Sequence, residues 1–146
     1  MHAPATEGVN VLINGLGKAE DIEQESARIE TEFGVEAVCS PANVTKPDEI
    51  ARIIDLAKAE FGGVDILIKQ CRLQFVSPIE QFPAEKWDQI LAINLSAAFH
   101  AIHEVVPVMK NAGWGRIIST ASAHSLVACR PISRTSPTQA EELGPS

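Results

Sequence analysis

"KPDEIARIIDLAKAEFGGVDILI", residues 46–68, reads as one helix running into one strand. Pro47 stands near the first turn, where a missing N–H costs nothing, and Gly62 stands just past the end. Ile50, Ile53, Ile54 and Leu56 fall close to one apolar face. "VDILI", Val64 to Ile68, is then apolar in the way that buried parallel strands are. Toward the N-terminus, "VNVLI" at Val9 to Ile13 closes on "NGLG", and "EDIEQESARIETEF" follows with helical spacing and acidic residues in its first turn. "VEAVCS" reads as the strand after it. Toward the C-terminus a long helix is expected from Ala84 to about Asn111, with Trp87, Leu91, Leu95, Ala98, Phe99, Ile102, Val106 and Met109 as its apolar stripe. Pro107 should loosen its last turns, and "GRIIS" is a further strand. Strands that alternate with helices indicate an α/β domain with a mostly parallel sheet.

The 146 residues have a single-domain length, and 45% apolar with 21% charged residues is an ordinary globular composition. No apolar run approaches the roughly 20 residues of a membrane helix, so no membrane partner is expected. A net charge of −7 without a basic run gives nucleic acid no positive footprint to meet. "MHAPATEG" has no basic region followed by an apolar stretch, and the expected location is the cytoplasm. Cys39, Cys71 and Cys129 are odd in number and far apart, which suits incidental thiols better than disulfides or zinc. The last stretch, "CRPISRTSPTQAEELGPS", residues 129–146, has three prolines and no periodicity and reads as an irregular tail.

Asn94 stands seven residues after Trp87, on the same side of the expected helix. A buried amide needs partners, so it is a structural bridge or part of a site. Ser122 and His124 follow the fourth strand, and ligands of open α/β sheets gather at the carboxyl ends of strands. Ser122 lacks the glycine-flanked elbow of a hydrolase nucleophile, and no aspartate is placed to orient His124. "HAIHE", His100 to Glu104, matches neither zinc helix motif, so no metal is expected and a solvated helix face is the plainer reading. "NGLG" lacks the third glycine and the acidic residue of a dinucleotide fingerprint and reads as a turn.

The segments "NGLGKAEDIE", "VDILI", "FPAEKWDQILAINLSAAFH" and "GRIISTASAHSLVA" together resemble the classical short-chain dehydrogenase/reductase family, and within it the bacterial D-3-hydroxybutyrate dehydrogenases. The likeness runs from about Gly8 to Ala128. It implies a Rossmann-like parallel sheet over residues 1–128, incomplete because the family's first strand and last strands are missing. It implies NAD as cofactor and a small 3-hydroxy acid as substrate. Asn94 and Ser122 match catalytic positions, and Gln74 and His124 match substrate-carboxylate contacts. Asn14 and Asn43 fall where the family contacts the cofactor, Asn43 in place of an aspartate beside the adenine.

Several positions depart from the family. Lys69, Gln70, Cys71 and Arg72 replace Asn-Asn-Ala-Gly, and the long cationic side chains should obstruct a cleft that glycine leaves open. The family's tyrosine and lysine fall on Thr135 and Gln139, and the chain has no tyrosine at all. A threonine hydroxyl has too high a pKa to serve as the proton donor. The substrate-binding lysine falls on Ile132. In the strand order of such sheets the missing first strand is central, so its absence should split the sheet into two pairs with open edges, which another copy or a related subunit can meet. Three readings follow: a related chain not competent in hydride transfer, a regulatory chain that joins a full-length relative, and an active NAD(P)-dependent 3-hydroxy acid dehydrogenase.

Overall fold

A computed structural model of the chain describes residues 3–15, 19–70 and 73–120. Ser122, His124, Ile132, Thr135 and Gln139 lie outside them, as does the stretch 129–146. The chain divides into two compact units, Met1–Val64 and Asp65–Ser146.

The first unit runs through α1 (Ala3–Thr6), β1 (Val11–Asn14), α2 (Ala19–Phe33), β2 (Ala37–Ser40) and α3 (Pro47–Phe61). β1 and β2 pair in parallel, with Val11 opposite Ala37 and Asn14 opposite Ser40. Ile13, Ile29, Val35 and Ala37 form the core with Ala5, and Val11 and Phe33 pack against it. Ala5, which precedes the stretch of family likeness, is nearly inaccessible and belongs to this core. β1 begins later than the apolar run because the Val9 N–H turns back to Pro4 O at 3.3 Å and closes the α1 turn instead of joining the ladder. α3 opens on Pro47 and stops at Gly62, whose φ of 80° lets its N–H return to Lys58 O at 3.0 Å. It buries Ile50, Ile54 and Ala57.

The second unit contains β3 (Ile66–Lys69), α4 (Ala84–Leu91), α5 (Ala97–Ala112) and β4 (Arg116–Ser119), with a short 3₁₀ turn at Ile79–Gln81. β3 and β4 pair in parallel, Ile66 opposite Arg116 and Lys69 opposite Ser119. Among the described residues the strands thus form two separate two-stranded sheets, the split that the family resemblance implies. The chain leaves β3 through Gln70, and residues 73–78 carry it, without helix or strand, to the 3₁₀ turn.

α4 and α5 form one continuous helix through a π turn at Ala92–Ser96, where the Ala97 N–H reaches back to Ala92 O. By length and composition this helix, Ala84–Ala112, with a mean hydropathy of 1.3 over 18 residues, meets the requirement for a membrane span. The expectation that no stretch comes near that requirement is corrected accordingly. Its buried residues are Ile90, Ile93, Ala97, Val105 and Met109. Of the expected stripe only Met109 is among them, while Leu95 and Phe99 are 59% and 64% exposed. Two causes act together: the helix is apolar on more than one face, and a π turn shifts the helical phase of everything after it. The helix continues past Pro107 and ends at Gly113, with φ 75° and its N–H on Lys110 O at 3.1 Å.

Candidate functional site

The second unit gathers polar groups at the carboxyl ends of its strands. Lys69 closes β3, and its carbonyl accepts the Thr120 N–H at 3.0 Å, which fixes the end of β4 beside it. Ser122 follows Thr120 by two positions in the sequence. From Lys69 the ammonium reaches across to the π turn and donates to Asn94 O at 2.8 Å.

Asn94 is the centre of this arrangement. Its Nδ2 donates to Leu73 O at 3.0 Å, and its Oδ1 accepts the Leu73 N–H at 2.9 Å. The side chain mimics a strand partner and satisfies both backbone groups of one residue. The carbonyl and the amide of Asn94 thus tie three segments: the end of β3, the Leu73 loop and the long helix. Gln74 is the next residue after Leu73 and is exposed. Phe75 and Phe82 pack edge to face at 5.5 Å and hold the far end of the same loop against the approach to α4. The arrangement can orient Gln74 and the loop that bears it.

Lys69 is the site residue whose role sequence reasoning missed. Its replacement of a short polar residue was visible, but it reads there as an obstruction. A contact between positions 25 apart, made to a backbone carbonyl, leaves no trace in residue types. Asn94, Gln74 and Lys69 all belong to the second unit.

Asn14 and Asn43 belong to the first unit. Asn14 Nδ2 donates to Ser40 O at 3.0 Å and to Ala42 O at 2.8 Å, which ties down the chain leaving β2. Asn43 Oδ1 accepts both the backbone N–H and the hydroxyl of Thr45, at 3.0 and 2.8 Å, in an Asx turn that leads into α3. The Asn43 N–H donates to Glu49 Oε2 at 2.6 Å, and Lys46 Nζ lies 3.0 Å from Glu49 Oε1. The backbone N–H of Asn43 first, and then the Lys46 ammonium, hold the Glu49 carboxyl below its ordinary range. The hydrogen bond and charge of Glu49 raise Lys46 in turn. No group of three or more metal-ligating side chains occurs among the described residues. His103 Nδ1 lies 3.1 Å from Glu104 on the exposed helix face.

A family model for short chain dehydrogenases matches residues 2–133. The chain belongs to the short chain dehydrogenase family and carries part of its Rossmann-like fold. It is 44% identical to a D-beta-hydroxybutyrate dehydrogenase of Rhizobium meliloti (strain 1021), over 85% of this chain and 48% of the relative. To the enzyme of the same name from Cupriavidus necator it is 42% identical, over 86% of this chain and 48% of the relative. Among solved structures, the NADPH-dependent 3-quinuclidinone reductase from Rhodotorula rubra superposes with a TM-score of 0.85 at 25% identity, covering 94% of this chain and 51% of that one. The chain spans about half the length of the curated relatives it matches.

The family implies a nicotinamide nucleotide, and the two side chains that fall where the family contacts it are engaged within the protein. Both amide hydrogens of Asn14 already serve backbone carbonyls of the protein itself. The side-chain oxygen of Asn43 is engaged by Thr45.

Proposed function

We propose that this chain is a relative of the NAD-dependent 3-hydroxybutyrate dehydrogenases that does not itself carry out hydride transfer. The observation that carries this reading is the absence of tyrosine, with Thr135 and Gln139 in the positions of the family's proton donor and its lysine. Hydride transfer between a hydroxy acid and NAD requires a group that moves the hydroxyl proton. An alkyl hydroxyl without a neighbouring cation holds its proton too tightly to do so near neutral pH. Asn94 and Ser122 are the catalytic positions that remain, and Gln74 and His124 are the proposed contacts to a small 3-hydroxy acid. Lys69 in place of asparagine, and the engaged amides of Asn14 and Asn43, support weak or absent NAD binding.

The test is NADH formation from D-3-hydroxybutyrate by the purified chain, followed by absorbance, beside calorimetric titration with NAD. No turnover is expected. Turnover that depends on enzyme concentration would overturn the reading.

A second reading, association with a full-length relative, is favoured by the two separate sheets and by the exposed Leu95 and Phe99. It predicts that the chain co-elutes with a hydroxybutyrate dehydrogenase on mixing, and separate elution would remove it.

A further inference from the structure

We infer that Lys69 is a positioning residue that holds the Asn94 site together. It does so by fixing the backbone of the π turn, so that the Asn94 side chain stays on Leu73 and presents Gln74. This deepens the proposed reading of Asn94 and Gln74 as site residues, and only the role given to Gln74 rests on that reading.

Both ends of the lysine are anchored. Its backbone lies in the β3–β4 ladder, opposite Ser119 and with Thr120 N–H on its carbonyl at 3.0 Å. Its ammonium is on Asn94 O at 2.8 Å, in a partly buried position. A charge-assisted bond to a carbonyl is stronger than a neutral one and is sheltered here from full solvent screening. Asn94 lies in the π turn, the one place where the long helix departs from regular geometry among the described residues. Regularising the widened turn to an α-helix would change the helical phase and so turn the Asn94 side chain relative to Leu73. The lysine selects the arrangement in which the side chain makes both Leu73 bonds. The side chain and carbonyl of Asn94 are therefore coupled: loss of the ammonium should loosen a pair of bonds that Lys69 does not itself make.

The experiment compares wild type, Lys69→Met and Lys69→Arg by amide hydrogen exchange, with NMR of the Asn94 side-chain amide and without ligand. Met keeps the length and apolar stem but cannot donate; Arg keeps the charge and the donors. Leu73 N–H is expected to exchange about tenfold faster in Lys69→Met, with the Asn94 amide resonances shifted, while the Ile13 and Val38 amides of the other unit keep their rates. Lys69→Arg should return Leu73 close to the wild-type rate. An unchanged Leu73 rate in Lys69→Met overturns the proposal, as does an equal rise in the Ile13 and Val38 rates that Lys69→Arg does not rescue. If Lys69→Met fails to fold, Lys69→Arg decides alone, and faster Leu73 exchange there counts against the proposal. Because no ligand or turnover is involved, failure here is distinct from failure of the functional reading, which the NADH assay tests.

Discussion

The two units use the same parallel pair of strands in different ways. In the first, β1 and β2 are covered: Ile13 and Ala37 sit in a core closed by Ile29, Val35 and even the short α1 through Ala5. In the second, β4 is exposed along its whole length, with Ile117 at 39% and Ile118 at 50%, and Ile68 on β3 is 42% exposed. What organises the second unit at its strand ends is polar: Lys69 on the Asn94 carbonyl and the Asn94 amide on Leu73. The difference teaches that apolar strand sequence alone does not secure burial. A strand pair becomes a core only where other elements cover its faces.

The largest test of that contrast is truncation of matched isoleucines. Ile29→Ala, at a site with no solvent exposure, should cost about 3 kcal/mol in urea denaturation. Ile118→Ala, half exposed, should cost under about 1 kcal/mol. Equal losses would break the comparison. Next in size is the pair of asparagines. Asn94→Ala removes a donor and an acceptor from Leu73 and should cost about 2 kcal/mol, whereas Asn14→Ala removes donors from two carbonyls near the edge of its sheet and should cost about 1 kcal/mol. A larger loss at Asn14, by denaturation of the two variants side by side, would show that polar ties matter more in the covered unit.

The helix ends should not distinguish the units. Gly62 and Gly113 occupy the same left-handed position after α3 and α5, and neither has a heavy atom within 4 Å of an added Cβ. Gly62→Ala and Gly113→Ala should each lower stability by about 1 kcal/mol through backbone strain alone, read as a drop in Tm. The smallest effect is electrostatic. Glu49 has a folded pKa below its ordinary 4.5, so its contribution is present above that pH and is lost as pH falls through the depressed folded value. Glu49→Gln should therefore flatten the acid limb of the stability profile slightly. An unchanged limb would assign acid sensitivity to other carboxylates.

Much of the architecture was legible from pattern. The order of strands and helices, the start of α3 at Pro47 and its stop at Gly62 follow from hydrophobic spacing and from backbone chemistry that one or two residues carry. The division into two strand pairs followed from the resemblance and the strand order that it implies. The buried face of the long helix was not legible. Residues such as Leu95 and Phe99 satisfy the same period as Ile93 and Ala97, and periodicity does not count the extra residue of a π turn. Asn94 stood out in the sequence as an amide on an apolar helix that needed partners. Which partners it has could not be read there, because they are the backbone groups of Leu73 and the ammonium of Lys69.

What the sequence determined by itself is local chemistry: which segments are helical or extended, which family the chain resembles, and that no tyrosine is present. Only the tertiary structure decided that Asn14 and Asn43 serve their own loops and that Lys69 joins Asn94 instead of merely crowding a cleft. The reason is physical: a hydrogen bond to a peptide group depends on where the backbone passes, and every residue carries the same peptide group whatever its side chain.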